Sequence, residues 1–310
     1  MGKFNGYLIG SDLDGTLLRK DKSISDENKA AIEYFKSEGG IFTFFTGRLP
    51  IGARPVLDMI TPNGYVGCAN GAGIFDPADE KIIWSMTLAD GVNELIEAVV
   101  EAIPQIGFEV TTDKIYFARK SPQTEKHRID ECLPDICCDY KTFDEPVIKI
   151  LFGVAEKDID KLVETIENHP NAQLFDYIRS DKEYFEILPK GASKGELLKK
   201  IAELHGIDMK NTIVAGDNDN DVSMLEVAGV GVAVSNASPA AKKAANYHTV
   251  SNEEHAIARI IKDLEEGKLP ISETEYLSRN KANYDWLMES KAQLECGNSK
   301  IRELAEVDDE

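Results

Sequence analysis

The chain has 310 residues, of which 42% are hydrophobic and 29% charged, and its formal net charge is −20. This length predicts more than one domain, and the composition is typical of a soluble globular protein. A surface this acidic repels nucleic acid and anionic lipid, and no apolar run is long enough to span a bilayer, so we exclude both as main partners.

The first third of the chain alternates predicted strands and helices. Residues 7–11 form a short apolar run that predicts a strand ending at Asp12. Ser25 can cap a helix over residues 26–37. Residues 41–45 are continuously apolar, as in a strand buried on both faces. This alternation predicts a parallel sheet with right-handed crossovers.

The middle of the chain has the pattern of a mixed α+β unit. The predicted elements are a helix over residues 89–103, a hairpin over 106–110 and 113–118, strands over 147–154, 172–178 and 183–188, and a helix over 157–168. We therefore expect residues 82–188 to form an inserted domain with an antiparallel sheet.

The α/β alternation returns after residue 188. Ser193 and Glu196 have the spacing of a capping box that opens a helix running to His205. The later predicted elements are strands over residues 212–215 and 230–234, a helix over 219–227, a helix from Ser238-Pro239, and a helix from the Ser251/Glu254 box to Gly267. We expect residues 1–81 and 189–271 to form one α/β core.

The last forty residues carry apolar side chains at helical spacing. They are Leu277, Tyr284, Leu287, Leu294 and Ile301. Residues 272–310 are therefore predicted to form a C-terminal helical extension, with an acidic, frayed end.

The segment DLDGT places Asp12 and Asp14 directly after the first predicted strand, where open α/β sheets bind ligands. Asp12 can attack a phosphorus atom once a divalent cation has neutralised the phosphate charge. Asp14 can protonate the leaving oxygen and later activate water, and Gly15 permits a tight turn. A loop that merely contains two aspartates explains this motif alone about equally well.

Two further motifs supply groups for a phosphate. The TGR motif follows the second strand, so the Thr46 hydroxyl can donate to a phosphate oxygen. Lys194 stands in the first turn of the helix capped by Ser193, where the helix dipole disfavours a cation. It therefore needs aspartates or a phosphate as a partner. Taken singly, an ordinary turn and a solvated lysine account for both motifs.

The motif GDNDND follows the strand over residues 212–215 and gathers several carboxylates, which suits a hard cation. It partly matches a calcium-binding loop, but Val222 and Ala228 occupy the positions that require glycine and glutamate, so we exclude that site. A polar turn before the next helix remains the simpler alternative.

Together the motifs DLDGT, TGR, SKG and GDNDND provide the groups for metal-assisted phosphoryl transfer through an aspartyl phosphate. In this order, over about residues 7–267, they resemble the haloacid dehalogenase superfamily, specifically the Cof-like phosphatases with a type IIB cap. The segment Asn70-Gly71-Ala72 resembles the family's segment before the cap. The resemblance implies a doubly wound, Rossmann-like α/β core and an α+β cap over residues 82–188 that closes over the site.

The resemblance also implies a role for each motif residue. Asp12 would be the nucleophile and a Mg²⁺ ligand, and Asp14 the general acid/base, giving the metal its backbone carbonyl. Asp217 would be the third protein ligand. Asp221 would orient Lys194 or bind the metal through water. The residues that would hold the phosphoryl group or the substrate are Thr46, Lys194, Gly47, Arg48, Asn70 and Asn220.

The function implied is Mg²⁺-dependent hydrolysis of small phosphorylated metabolites. Sugar phosphates are the expected substrates, with pyridoxal phosphate and flavin mononucleotide as others, and the protein is expected to be a monomer or homodimer. A phosphomutase on the same scaffold and a phosphometabolite-binding regulatory protein without turnover remain alternatives. A dehalogenase is disfavoured, because that chemistry does not need an acid/base at position 14.

The five cysteines are scattered, and residues 1–7 lack an apolar signal core, so we expect a cytoplasmic protein with reduced thiols. The five histidines lack ligand spacing and receive no functional assignment. The sequence does not identify the cap side chains that face the cleft. Candidates are Tyr116, Arg119, Arg179 and Lys182.

Overall fold

The computed structural model describes residues 2–271, and the predicted C-terminal extension, residues 272–310, lies outside the described residues. The strands, numbered in chain order, are β1 Leu8–Ser11, β2 Ile41–Phe44, β3 Val66–Cys68, β4 Gly73–Asp76, β5 Lys81–Ser85, β6 Gly107–Thr111, β7 Ile115–Arg119, β8 Lys149–Gly153, β9 Phe175–Arg179, β10 Tyr184–Pro189, β11 Thr212–Gly216, β12 Val230–Ala233 and β13 Tyr247–His248. The α-helices are α1 Asp26–Ser37, α2 Pro50–Met59, α3 Val92–Ala102, α4 Pro122–Asp130, α5 Ile159–Glu167, α6 Lys194–Leu204, α7 Val222–Val227, α8 Pro239–Ala244 and α9 Ala256–Glu265.

The strand β1 lies inside a parallel sheet with the order β13-β12-β11-β1-β2. Its two neighbours are in register with it, so that Ser11 lies opposite both Ala215 and Phe44. The residues that follow β1, β2 and β11 therefore begin at one edge of the sheet. This is the edge at which open α/β sheets bind ligands.

Helices cover the parallel sheet and bury its apolar side chains. Leu197 of α6 and Leu225 of α7 share one core cluster with Leu8 and Val214 of the sheet. Residues next to these in the strands, such as Ile9, point to the opposite face and are also fully buried. The helix α1 packs against α9. The predicted α/β fold with a parallel-sheet core is confirmed.

The second large sheet is antiparallel, with the order β7-β6-β8-β10-β9. Its β6 and β7 form the hairpin predicted over residues 106–118. One face, including Phe108 and Phe152, packs on α3 and α5 in a separate apolar cluster. The other face carries a row of directly paired residues across three strands. This row consists of Glu109, Leu151 and Glu186.

Several predicted element ends were wrong where a local turn interrupts the pattern. The segment Ala172–Leu174 is a 3₁₀ turn, and β9 begins only at Phe175. A 3₁₀ turn at Asp219–Asp221 likewise precedes α7. The Ser251/Glu254 capping box closes another 3₁₀ turn, after which His255 adopts a left-handed conformation and α9 begins.

The capping box predicted for α6 is only half formed. The Ser193 hydroxyl accepts a hydrogen bond from the Glu196 backbone N–H at 3.2 Å, as expected of an N-cap. The Glu196 carboxylate instead accepts a hydrogen bond from Lys199 at 2.7 Å. The helix still begins at Lys194, because the serine alone satisfies an unpaired backbone donor.

The helix α2 and the sheet of β3, β4 and β5 were not predicted. The prolines at positions 50 and 55 obscured the helical pattern of α2, since a proline inside a helix removes a backbone donor. The strand β5 pairs antiparallel with β4 and contains the expected boundary between residues 81 and 82. The division into a core and an inserted domain stays a prediction.

Two expectations concern membrane spans and the oxidation state of the cysteines. Within residues 2–271, no helix combines the length and the apolar composition that a membrane span requires. The cysteines of this range are free thiols; they are Cys68, Cys132, Cys137 and Cys138. The cytoplasmic location stays a prediction.

Candidate active site

The predicted motif residues converge at the carboxyl edge of the parallel sheet. They surround a cavity of about 360 Å³ that lies between this edge and the polar face of the antiparallel sheet. The motif residues that line the cavity are Asp12, Asp14, Thr46, Gly47, Arg48, Asn70, Asp217 and Asn220. Lys194 and Asp221 are fully buried beside Asp12.

Lys194 links two of these aspartates. Its Nζ lies 2.6 Å from Asp12 Oδ1 and 2.5 Å from Asp221 Oδ1. Burial lowers the pKa of the Lys194 ammonium, but Asp12 and Asp221 outweigh that effect, and the net pKa is raised. The lysine therefore stays charged, and its unfavourable place in the first turn of α6 is explained by these two carboxylates.

Asp221 is held on both of its carboxylate oxygens. Oδ1 accepts the hydrogen bond from Lys194, and Oδ2 accepts from the backbone N–H groups of Asp217 at 2.8 Å and Asn218 at 3.0 Å. A carboxylate with this many donors has a fixed orientation. Asp221 thus fixes both the lysine and the turn that follows β11.

Asp12, Asp217 and Asp221 each offer a carboxylate oxygen within 4.8 Å of the others. Asp217 Oδ1 also accepts a hydrogen bond from Thr16 at 2.7 Å. Burial raises the pKa of Asp217 to about 6, and the charge of Asp221 adds to the shift. Burial likewise raises the pKa of Asp12 well above its ordinary value; Lys194 opposes this shift, while Asp221 and Asp217 reinforce it.

This cluster fits a hard divalent cation. With all three carboxylates ionised, the one ammonium of Lys194 leaves an excess of two negative charges in a buried space. Hard cations such as Mg²⁺ prefer oxygen ligands of this kind. A divalent cation would balance the excess charge and favour the ionised form of Asp12.

Asp14 is held by two cations other than Lys194. Its carboxylate accepts hydrogen bonds from Arg48 Nε at 2.9 Å, from Arg48 Nη2 at 2.8 Å and from Lys22 Nζ at 2.7 Å. Burial raises the pKa of Asp14, but the two cations outweigh it, and the net pKa is lowered. Gly15 has a φ of +85°, and a Cβ there would lie 2.4 Å from Asp217 Oδ2, so the predicted tight turn requires glycine.

The loops after β2, β3 and β11 are joined by hydrogen bonds. The Thr46 hydroxyl accepts from the Arg48 backbone N–H at 3.1 Å, which leaves its own proton to donate into the cavity. Asn70 has a left-handed backbone with a φ of 51°. Its backbone N–H donates to Thr46 O at 3.1 Å, and its Oδ1 accepts from Asn220 Nδ2 at 3.1 Å.

The antiparallel sheet and the adjoining α4 contribute cavity residues that sequence reasoning missed. Lys149 and Glu186 lie in strands, and His127 and Glu131 lie in and directly after α4. The sequence offered a signal for Lys149 and Glu186, since each is a charged residue within an otherwise apolar strand. The cavity residues that sequence reasoning missed are Lys22, His127, Asp130, Glu131, Lys149, Leu151, Ser180, Asp181, Tyr184, Glu186 and Asn218.

The four cap residues singled out from the sequence lie elsewhere. Tyr116 donates to Glu145, and Arg119 donates to the carbonyl of Pro104. Arg179 donates to the backbone carbonyls of Asp181 and Lys182. Within residues 2–271, the cavity lining contains none of Tyr116, Arg119, Arg179 and Lys182.

Known proteins with similar sequences share most of the chain. The sequence profile of the haloacid dehalogenase-like hydrolases matches residues 9–261. A putative phosphatase of Bacillus subtilis, YxeH, is 29% identical, over 83% of this chain and 97% of its own length. A second Bacillus subtilis protein, the 5-amino-6-(5-phospho-D-ribitylamino)uracil phosphatase YwtE, is 31% identical, over 84% of this chain and 98% of its own length.

Solved structures show the same fold. A haloacid dehalogenase-like hydrolase from Bacteroides thetaiotaomicron superimposes with a TM-score of 0.74 at 24% identity, covering 83% of this chain and 99% of that one. The subclass IIB sugar phosphatase BT4131 superimposes with a TM-score of 0.71 at 22% identity, covering 83% of this chain and 98% of that one.

Proposed function

The chain belongs to the haloacid dehalogenase-like hydrolase family and is a phosphatase, and we propose that it hydrolyses small phosphorylated metabolites through an aspartyl phosphate on Asp12. One observation carries this proposal. Asp12 reaches the cavity while its carboxylate pairs with Lys194 and lies within a cluster that includes Asp217 and Asp221. A nucleophilic carboxylate needs such an arrangement, in which positive charge offsets the repulsion between it and a phosphate.

In the proposed first step, a carboxylate oxygen of Asp12 bonds to phosphorus as the bond from phosphorus to the leaving oxygen breaks. Asp14 gives a proton to that oxygen, so the product leaves as an alcohol. The Thr46 hydroxyl and Lys194 hold the transferring phosphoryl group. Asn220 contacts it through its side-chain amide.

In the second step, Asp14 takes a proton from water, and the water oxygen bonds to phosphorus while the Asp12 oxygen–phosphorus bond breaks. This step releases inorganic phosphate and returns both aspartates to their starting forms. The hydrogen bonds from Arg48 and Lys22 favour the ionised Asp14 that this step requires and oppose the protonated form that the first step uses.

We propose Mg²⁺ as the cofactor, held by the carboxylates of Asp12 and Asp217 and by the backbone carbonyl of Asp14. When bound, such an ion neutralises phosphate oxygens and stabilises charge in the transition state. Asp221 would act mainly by positioning Lys194 and would reach the ion through water. In agreement with this, both carboxylate oxygens of Asp221 already accept hydrogen bonds from protein donors.

Residues 82–188 are proposed to be the cap domain of a core formed by residues 1–81 and 189–271. In support, the polar face of the antiparallel sheet borders the cavity opposite Asp12. A cap in this place excludes water and contacts the leaving group. The cavity side chains Asp130, Asp181 and Tyr184 offer hydrogen-bond partners for hydroxyl groups.

We propose phosphorylated sugars and polyols as substrates. The names of the similar proteins support this class, since one is a phosphatase of a phosphoribityl compound and another a sugar phosphatase. The regulatory and phosphomutase alternatives are not favoured, because the similar proteins are named phosphatases. We propose that the protein acts in the cytoplasm on a small metabolite, as a monomer or homodimer.

A substrate screen with a nucleophile variant tests the proposed function. Purified full-length protein with Mg²⁺ is incubated with phosphate monoesters, including sugar phosphates and 5-amino-6-(5-phospho-D-ribitylamino)uracil, and inorganic phosphate is measured. We expect release without a bisphosphate activator, and no release by Asp12→Asn. Acid quenching should trap phosphate on the peptide that contains Asp12. Unchanged turnover by Asp12→Asn, or isomerisation that requires a bisphosphate, would contradict the proposal.

A further inference from the structure

A buried ion pair lies where the antiparallel sheet meets the active-site loops. Lys149 Nζ is 2.9 Å from Glu186 Oε2, and their side chains are 6% and 2% exposed. Glu186 pairs directly with Leu151, so Lys149, two residues earlier in the same strand, lies diagonally beside it on one face of the sheet. That face points toward the cavity, while the apolar core of the sheet lies on the other face.

Both members of the pair also bind the loops of the parallel sheet. Lys149 Nζ donates to the backbone carbonyl of Gly47 at 2.9 Å, and Glu186 Oε2 accepts from Asn70 Nδ2 at 3.0 Å. Asn70 Oδ1 in turn accepts from Asn220 Nδ2 at 3.1 Å. One connected set of hydrogen bonds therefore runs from the antiparallel sheet to three active-site loops.

Stability of the sheet is a weak explanation for this pair. Burying two charges costs desolvation energy that their attraction only partly recovers, and apolar side chains of similar size often stabilise as well or better. The neighbours of both residues along their strands are apolar, and Ile150, Phe185 and Ile187 belong to the apolar cluster on the other face of the sheet. The pair instead makes directional hydrogen bonds, which fix the backbone carbonyl of Gly47 and the side-chain amide of Asn70.

We propose that Lys149 and Glu186 are positioning residues for phosphoryl transfer. They hold Gly47 and Asn70 in place. Through these two residues they also position the Thr46 hydroxyl, because the backbone carbonyl of Thr46 accepts a hydrogen bond from the Asn70 backbone N–H. The inference rests on the proposed function, because that function assigns these loops to the phosphoryl group. A displacement of about 1 Å in such groups can lower the rate about a hundredfold.

A rival role for the pair is contact with the leaving group, since both residues line the cavity. The two roles differ in their dependence on the substrate. A positioning pair affects the phosphoryl group, which all monoesters share. A pair that recognises the leaving group affects a sugar phosphate but not p-nitrophenyl phosphate, which offers no hydroxyl groups.

The experiment compares Lys149→Met, Glu186→Gln and the double variant with the wild type. Lys149→Met leaves Glu186 buried without its cation and is expected to lower the melting temperature. The double variant removes both charges and should recover most of that loss. Its kcat is nevertheless expected to stay about tenfold to a hundredfold below wild type, on both p-nitrophenyl phosphate and the best sugar phosphate, with a smaller change in KM.

A matched control is Lys161→Met. Lys161 also donates to a backbone carbonyl, that of Ala102 at 2.7 Å, but it is exposed on α5 and distant from the cavity. This variant should keep wild-type kcat. It shows whether losing a lysine-to-carbonyl hydrogen bond is sufficient to lower the rate.

A stable double variant with wild-type kcat would overturn the inference, as would a loss confined to the sugar phosphate. A second readout separates this inference from the proposed function. With Mg²⁺ present, inorganic phosphate should raise the melting temperature of the wild type, and the double variant should need about tenfold more phosphate for the same shift. If the wild type hydrolyses no monoester, the proposed function fails. Separately, the inference would be overturned if phosphate shifted the melting temperatures of the wild type and the double variant equally.

Discussion

Arg48 donates two hydrogen bonds to the carboxylate of Asp14, from Nε at 2.9 Å and from Nη2 at 2.8 Å. The same guanidinium lies 3.6 Å from Glu131, at the end of α4. A Cβ on Gly52 would lie 2.4 Å from Glu131 Oε2, so the glycine in α2 leaves room for this carboxylate. The residue proposed as acid/base is thus fixed by an arginine that also contacts the segment proposed as the cap.

Replacing this arginine should change the pH dependence of turnover. Arg48→Gln removes a cation that lowers the pKa of Asp14, so Asp14 should become protonated at a higher pH than in the wild type. We expect the acid limb of the kcat profile to move to higher pH, and kcat to fall about tenfold to a hundredfold. Arg54→Gln, an exposed arginine of α2, serves as the control. An unchanged acid limb would argue against the role of Arg48.

Removing the metal should abolish turnover. In excess EDTA the surplus negative charge around Asp12 repels the phosphate, and adding Mg²⁺ back should restore the rate. Asp217→Asn weakens the oxygen ligand set and should raise the Mg²⁺ concentration needed for half-maximal activity. Asp58→Asn, at an exposed aspartate of α2, should leave that concentration unchanged. Full activity in EDTA would rule out the metal requirement.

Lys194→Met should destabilise the fold as well as stop catalysis. The change leaves Asp12 and Asp221 buried without their shared cation. Loss of one partner from such a buried arrangement costs about 3–5 kcal/mol in the free energy of unfolding, which urea titration can measure. Mg²⁺ should recover part of this loss, because Asp12 is one of its proposed ligands. Lys199→Met, on the exposed side of α6, is expected to change stability by less than about 1 kcal/mol.

His127 should make stability fall as the pH rises. Its Nδ1 is 2.9 Å from Glu109, and its Nε2 is 3.3 Å from Glu131. Burial lowers the pKa of His127, but the two carboxylates outweigh it and raise the pKa to about 10. Since this lies above the unfolded value of about 6.5, the stabilisation is full below about pH 6.5 and is lost as the pH rises toward 10.

The variant His127→Gln should therefore lose less stability than the wild type between these pH values. The wild-type free energy of unfolding should fall by up to about 1.4 kcal/mol per pH unit more than that of the variant. Urea unfolding at several pH values measures both slopes. His248→Gln, at an exposed position of β13, should keep the wild-type slope. Parallel slopes for wild type and His127→Gln would contradict the pairing.

Gly71→Ala should disrupt the start of α6. Gly71 has a φ of +120°, and a Cβ there would lie 2.2 Å from the backbone nitrogen of Ser193, which precedes Lys194. We expect a loss of more than about 2 kcal/mol in stability, together with reduced kcat. Gly191→Ala separates the effect of the positive φ from the effect of the steric clash. It has a φ of +85°, and no atom of residues 2–271 lies within 4 Å of the new Cβ, so it should cost only about 1 kcal/mol.

The sequence alone identified the motif residues that line the cavity at the carboxyl edge of the parallel sheet. Each motif follows or adjoins an element of the α/β core, and parallel strands bring their carboxyl ends to one edge of a sheet. Asp12 and Asp217 meet because β1 and β11 are neighbours in this sheet, although 205 residues separate them in the chain. The helix start at Ser193 similarly identified Lys194 as a lysine in need of a partner.

Only the tertiary structure decided which groups complete the site from the antiparallel sheet. Lys149 is 37 residues from Glu186 and 102 residues from Gly47, and its contacts with both depend on the register between β8 and β10 and on the placement of that sheet over the cavity. A one-residue shift in register would turn these side chains to the opposite face. A sequence shows that a strand contains a charge, but the partner of that charge is set by packing between segments distant in the chain.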